Sequence, residues 1–283
     1  MIKTFSKKPG GESAQTISCN LCGSSSHRRA FSVSGANWVK CRSCGLVYQN
    51  PQPVAIELVK RYDDEYFAYE VENEASFYNL ARLGLDDIGF NSRRSEAKKR
   101  GKFLDVGCAT GYLLNEVSKS GWPVEGVEIC EESARYASKR GGFPVYTKPL
   151  EQLALDSGKY GVVHLSHVIE HLNDPDGFFR EVYRLLAPGG YFIVTTPNID
   201  GFQSRLTGRR WRSAIPDHLF LFSRKTLGSL ALKTGFSTIL IKTWGGLAAG
   251  LAPIPVKRAA DCLVKPFGVG DVMIMLLQKP DIC

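Results

Sequence analysis

From Lys102 onward, apolar residues come in short runs: KFLDVG, VEGVEI, FPVY, YGVVHLS and GGYFIVTTP. Each is too short for a helix and rich in β-branched or aromatic residues, which predicts buried strands. Between them lie segments with apolar residues at helical spacing: YLLNEVSKSG, EESARYASKRG and DPDGFFREVYRLL. Such alternation builds a parallel sheet covered by helices on both faces. Asp174-Pro175 has the cap-then-proline signature of a helix start, and Gly121, Gly141 and Gly189 stand where helices should stop. Further on, Ser223 caps a helix that runs through Lys233 and ends at Gly235, and FSTILIKTW and DVMIMLLQK supply two last strands.

The pattern upstream is different. Residues 55–100 read as helical, with Tyr62, Tyr66, Phe67, Phe77, Tyr78, Leu80 and Leu83 set among charges, and they end in a basic run from Arg93 to Lys102. That run is expected to be a solvated linker face. Residues 1–15 form a polar tail, residues 16–54 a cysteine-bearing module, and Pro51 and Pro53 mark its exit. Residues 101–283 form the α/β domain. Within it, residues 198–223 carry GRRWRSAIPDHLFLF, too aromatic and basic for a plain connector, and are expected to lie as an insertion over the site.

With 283 residues, 43% of them hydrophobic, the chain can bury a large core and still carry a small module, which excludes disorder as the default. A net charge of +8 favours anionic partners without requiring nucleic acid. The start MIKTFSKKPGGESAQ lacks the apolar core of a secretory signal, and the low-charge stretch from Gly245 to Val256 falls short of the ~20 apolar residues of a membrane span. A cytoplasmic location without a membrane span is expected.

Four of the eight cysteines form two equally spaced pairs, Cys19-x-x-Cys22 and Cys41-x-x-Cys44, with eighteen residues between the pairs. Each pair can aim two thiolates at one cation, and two pairs complete the tetrahedral shell zinc prefers. A closed four-thiolate shell leaves zinc no open position, so the expected zinc is structural and the module a zinc ribbon. Cys108, Cys130, Cys262 and Cys283 are dispersed and read as small apolar residues.

The run from Asp105 to Gly111, DVGCATG, ends the first strand of the α/β region and opens a helix. Glycines there let a ligand approach the backbone, and the helix start offers unpaired N–H donors. Glu128 ends the second strand, where a carboxylate can accept both hydroxyls of a ribose. The pairing points to a nucleoside. Ala109 occupies the second glycine position of the dinucleotide fingerprint, which disfavours a pyrophosphate-bearing cofactor.

LDVGCATGYLL, VEGVEI, VVHLSHVIEHL followed by NDP, and RLLAPGGYFIVTTPN together resemble the ordered motifs of class I S-adenosylmethionine-dependent methyltransferases over residues 101–283. With the cysteine module, YDDEYF and PDHLFLFS, the chain is similar to a bacterial subgroup acting on small molecules, including sugars and other secondary or cell-surface metabolites. Quinone-pathway O-methyltransferases are more distantly similar. The resemblance implies a Rossmann-like, mainly parallel seven-stranded sheet whose last strand, around Val272 to Leu277, runs antiparallel. It places Asp105, Gly107 and Gly111 at the cofactor's amino-acid portion, Glu128 at its ribose, and Leu150 and Glu151 beside adenine. Tyr62, Tyr66 and Phe67 match an aromatic flap over the sulfonium. In two places the chain departs from the pattern: Ala109 stands where glycine is usual, and Gly161 stands where an acidic residue often opens the fourth strand.

Three of the five histidines lie in the run His164 to His171, at the C-terminal end of the fourth strand, where open α/β sheets bind ligands. Methyl transfer needs donor and acceptor in near-attack geometry, and an oxygen or acidic-carbon acceptor also needs a proton removed. His171 and His218 are the candidate base or acceptor-positioning residues; Glu170 would orient an imidazole and His167 line the cofactor side. His167, Glu170 and His171 share a face if helix begins directly after the strand. His164 is expected to be a partnered core histidine.

The expected activity is methyl transfer to oxygen, or an acidic carbon, of a small metabolite. Two other classes fit parts of the sequence. Arg205, Arg209, Arg210 and Arg212 around Trp211, with a ribbon, suit a nucleic-acid methyltransferase or binding protein. His167-x-x-Glu170-His171 matches the H-x-x-E-H pattern of inverted zinc proteases, which requires both histidines within one helix.

Overall fold

A computed structural model of the chain describes residues 14–54, 64–246 and 264–281, and positions 253, 255 and 257. The N-terminal part contains five short strands: β1 (Ala14–Gln15), β2 (His27–Val33), β3 (Ala36–Cys41), β4 (Val47–Gln49) and β5 (Gln52–Pro53). Helices α1 (Asp64–Asp87) and α2 (Phe90–Arg100) follow. The α/β region then runs β6 (Lys102–Val106), α3 (Tyr112–Ser118), β7 (Val124–Val127), α4 (Glu131–Gly141), β8 (Val145–Tyr146), β9 (Tyr160–Ser166), α5 (Pro175–Leu185) and β10 (Leu186–Pro197). It closes with α6 (Phe202–Thr207), β11 (Phe220–Leu221), α7 (Arg224–Lys233), β12 (Ser237–Trp244) and β13 (Val272–Gln278).

Seven strands form one sheet in the order β12-β13-β10-β9-β6-β7-β8. The pairings from β8 through β10 are parallel, and β13 runs antiparallel to both its neighbours, as the sequence motifs imply. The period-two alternation of the strands separates two cores. Leu104, Val163, Phe192 and Met273 face α5 and α7, whereas Phe103, Val162, Ile193 and Ile274 face α1 to α4. No helix among the described residues is long and apolar enough to cross a membrane.

Helix ends follow local chemistry. The Asp174 carboxylate accepts from Gly177 N at 3.1 Å, with Pro175 opening α5. Ser223 and Thr226 form a reciprocal capping box at α7. Gly189 ends no helix: α5 stops at Leu185, and Gly189 lies in an irregular stretch of β10, where the register on β9 shifts between Leu186 and Tyr191.

The basic run differs from its expected role as a linker face. It lies largely in α2, which buries Phe90 and Ala97 against the sheet. Its cations close open carbonyls nearby: Arg94 donates to Val117 O (3.3 Å), Lys98 to Ser120 O (2.7 Å) and Arg100 to Pro188 O (2.7 Å). The glycine opening β9 has a steric origin in the same helix, because a Cβ on Gly161 would lie 2.0 Å from Ala97 O.

The second sheet is four-stranded, in the order β11-β4-β3-β2. Its edge strand β11 belongs to the segment after β10 and pairs antiparallel with β4 through Tyr48↔Phe220 and Val47↔Leu221. Cys19, Cys41, Leu46 and Tyr48 accordingly pack in the same core as α5 and α7.

Candidate active site

Between β6 and α3 the chain turns through three left-handed residues, Gly107 (φ 73°), Ala109 (φ 46°) and Gly111 (φ 70°). A Cβ on Gly107 would lie 2.5 Å from Val168 Cγ2, so this loop rests directly on the turn that follows β9. Ala109 adopts the same backbone despite its Cβ, at a cost of about 1 kcal/mol. Its N–H donates to Glu128 Oε2 (2.9 Å), while Cys130 N donates to Glu128 Oε1 (2.8 Å). One buried carboxylate thus ties the loop after β6 to the loop after β7. Burial, opposed by these N–H groups, pushes Glu128 up to about 7. Asp105 is buried beside it and accepts from His164 Nδ1 (2.7 Å). Burial raises the Asp105 carboxyl and the His164 contact opposes the rise, leaving His164 a partnered core residue, as expected.

Helix α1 reaches this loop from above. Phe67 packs edge-on against Tyr136 of α4 (5.7 Å between ring centroids), and Tyr78 lies 4.7 Å from Tyr112 of α3. Glu74 pairs with Arg140 at 2.6 Å, and that guanidinium sits 4.8 Å over the Tyr112 ring. The helix is therefore anchored to both helices that leave the two loops. Tyr66 bonds the carboxyl of Glu70, which burial and the neighbouring Glu128 push up to about 7. Sequence reasoning missed Glu70, although its four-residue spacing from both Tyr66 and Glu74 was a signal. Tyr62 lies outside the described residues. Leu150 is buried and Glu151 exposed in the helical turn Leu150–Gln152, which packs beside α5.

The histidine run leaves β9 at Ser166, passes through His167 in the left-handed region (φ 56°), and makes a single 3-10 turn over Ile169–His171. His167 Nδ1 donates to Glu170 Oε1 (3.1 Å) and Thr196 Oγ1 to Glu170 Oε2 (2.9 Å). Glu170 therefore orients His167, and the α-helical face expected for His167, Glu170 and His171 is replaced by one tight turn. His171 Nδ1 instead donates to Asp217 O (2.9 Å), and His218 Nδ1 to Ser213 O (2.8 Å). A carbonyl can only accept, so each of these two rings carries a proton on Nδ1, and in the neutral ring Nε2 is the acceptor. The rings meet edge to face with centroids 4.8 Å apart.

Burial acts to raise Glu170, but the His167 bond and the facing His171 and His218 hold it down at about 2. Burial, reinforced by His171, pushes His218 down to about 3. The arrangement is a buried ionised carboxylate beside two imidazoles, residue types suited to proton transfer. A ligand atom from each of Glu170, His171 and His218 lies within 4.8 Å of the others, so this trio also has the spacing of a cation site. The H-x-x-E-H geometry is not met: the pentapeptide is not helical, and His171 is joined by His218 rather than by His167.

The four paired cysteines converge. Sγ atoms of Cys19 and Cys44, and of Cys22 and Cys41, are 3.5 Å apart, and all four lie within 4.8 Å of one another. Zn–S bonds of about 2.3 Å in a tetrahedron require S···S near 3.8 Å, so the donor set fits zinc. The two turns are alike, with Gly23 N donating to Cys19 O (2.7 Å) and Gly45 N to Cys41 O (3.2 Å). Trp211 is buried and donates to Asp271 Oδ1 (2.5 Å), and Arg212 bonds the same carboxylate at 2.8 Å. The tryptophan face is thereby withdrawn from base stacking, while Arg205, Arg209 and Arg210 remain exposed.

The chain is similar to solved S-adenosylmethionine-dependent methyltransferases. One from Thermotoga maritima is 22% identical at a TM-score of 0.54, covering 79% of this chain and 98% of that one. Another, from Archaeoglobus fulgidus, is 18% identical at a TM-score of 0.56, covering 76% of this chain and 100% of that one. Among curated proteins it is 34% identical over 103 residues to a ubiquinone biosynthesis O-methyltransferase of Caulobacter sp., covering 34% of this chain and 41% of the relative. A protein of the same name from Pectobacterium atrosepticum is 31% identical over 131 residues, covering 44% of this chain and 54% of the relative. The chain thus spans about half the length of the curated relatives it matches. A family model described as a methyltransferase domain matches residues 78–241, and the chain belongs to that family.

Proposed function

We propose that this chain transfers a methyl group from S-adenosylmethionine to an oxygen, or an acidic carbon, of a small-molecule acceptor, and that Cys19, Cys22, Cys41 and Cys44 hold a structural zinc. The observation that carries the reading is the contact of Gly107 with Val168, where the loop after β6, bonded through Ala109 to Glu128, meets the turn holding Glu170 and His171. Donor and acceptor subsites then adjoin at the C-terminal edge of the sheet, where ligands of open α/β sheets bind.

Gly107, Gly111 and Asp105 would receive the amino-acid portion of the cofactor, and Glu128 its ribose hydroxyls. Leu150 and Glu151 would flank adenine. Tyr66, on the helix that the Phe67–Tyr136 contact holds to α4, would cover the sulfonium. When bound, the cofactor supplies an electrophilic methyl on that sulfonium. His171, with its Nδ1 proton held by Asp217 O, takes the acceptor proton on Nε2; His218 shapes the opposite wall; Glu170 stabilises the positive charge that develops. His167, on the cofactor side, keeps Glu170 aligned through their hydrogen bond. The relatives' name supports an oxygen acceptor on a small molecule.

Calorimetry with S-adenosylhomocysteine tests the donor half. Wild type should bind it and Glu128→Ala should lose most of the affinity; equal affinity overturns the ribose assignment. For the acceptor half, labelled methyl transfer into metabolite extracts should fall about 100-fold in His171→Ala, the low end for a lost general base. Metal analysis should find one zinc per chain, absent when Cys41 and Cys44 are both replaced by serine. A second ion that disappears in His171→Ala would replace the base assignment with a metal-centred one.

A further inference from the structure

The ribbon's strands end on the acceptor wall. Trp38 and Gln49 are cross-strand partners on β3 and β4, both fully buried, and both aim at one group. Trp38 Nε1 donates to the main-chain oxygen of His218 at 3.1 Å. Gln49 Nε2 donates to that oxygen at 3.0 Å and to Pro216 O at 2.7 Å, while Gln49 N donates to Leu219 O at 2.8 Å. From the opposite side, Leu219 N donates to Glu170 O at 2.7 Å. The Ser213–Leu219 loop supplies the carbonyls that orient both imidazoles, and the ribbon grips that loop on three of its carbonyls.

We infer that Gln49 and Trp38 are positioning residues for the acceptor site, and that the metal-loaded ribbon sets the orientation of His218 and, through Asp217, of His171. The inference rests on the proposed role of these histidines and deepens it. The four thiols sit where they control both strands: Cys41 ends β3, and Cys44 lies three residues before β4. Closing the thiolate shell therefore fixes the Trp38–Gln49 pair, and that pair fixes the carbonyl of His218. With both donors in place the oxygen is fully engaged, and the His218 ring is pinned at Nδ1 by Ser213 O. So held, the ring meets His171 edge to face, with centroids 4.8 Å apart.

The test is a long-range proton–nitrogen NMR spectrum of the zinc-loaded full chain, labelled with ¹⁵N-histidine and saturated with S-adenosylhomocysteine. Signals are assigned by the losses in His171→Gln and His218→Gln. Wild type should show both rings as the Nδ1–H tautomer. Gln49→Leu and Trp38→Phe should each keep one zinc and bind S-adenosylhomocysteine within twofold of wild type, yet show His218 and His171 averaging between tautomers. Withdrawing zinc from wild type with a chelator should produce the same averaging, reversed when zinc is restored. Unchanged His218 and His171 signals in both variants, or in zinc-free wild type, overturn the inference. If Gln49→Leu does not fold, Trp38→Phe and the zinc titration decide. Failure of wild type to bind S-adenosylhomocysteine strikes the proposed function instead, since the ring signals report the ribbon with or without it.

Discussion

Glu128 lies at the junction of the two loops that would hold the donor, and its ionisation has a direct consequence. Burial raises it to about 7 from the ordinary 4.5. Between those values the folded chain holds a proton the unfolded chain has released, so the free protein loses stability as pH rises through that window. Ribose hydroxyls, by contrast, donate to the ionised carboxylate. Affinity for S-adenosylhomocysteine should therefore rise about tenfold from pH 6 to pH 8, with Glu128→Gln flattening the profile; calorimetry at the two pH values decides, and a flat wild-type profile contradicts the assignment. The residue was legible as a candidate because a carboxylate at the end of the second strand can meet a ribose there. Its two backbone donors were not, because they depend on how the loops at 109 and 130 approach each other. The same holds for His171 and His218: their residue types pointed to proton chemistry, but their partners are main-chain carbonyls, which leave no mark on the pattern of side chains.

At the scale of elements, the strand runs translated directly into the sheet because each was flanked by turn chemistry and the central ones, β6, β7, β9, β10 and β13, are buried on both faces. The helical stretch from 55 to 100 was legible as helix but not in its role. The described part divides at Ile88–Gly89 into α1 packed on α3 and α4 and α2 against the sheet, and what fixes each is tertiary: Arg140 for the first, the close approach of Ala97 to Gly161 for the second. The Glu74–Arg140 pair is half-buried and stacked on Tyr112, which makes it a latch. Removing it with Arg140→Ala should weaken S-adenosylhomocysteine binding about fivefold, on the order of 1 kcal/mol. It should also speed hydrogen exchange in Asp64–Asp87 while leaving exchange in β9 and β10 unchanged. Equal exchange in α1 would show that the latch does not hold the flap.

Across the whole molecule, the cysteine spacing predicted a ribbon but not where it docks. Two-residue strands such as Phe220–Leu221 carry too little periodicity to be read, and their pairing partner lies more than 170 residues away. The ribbon shares a core with α5 and α7, and its sheet is completed by a strand from the segment that also supplies His218. Shortening the chain to residues 55–283 would strip the partner from Phe220 and Leu221 and uncover Leu219 and Phe222 beside them. A naked, apolar sheet edge of that kind recruits other chains. Size-exclusion chromatography should find the shortened protein in large oligomers or in the insoluble fraction, and a well-behaved monomer would contradict this. Anyone seeking a minimal catalytic fragment would thus be obliged to keep the cysteines, for solubility before chemistry.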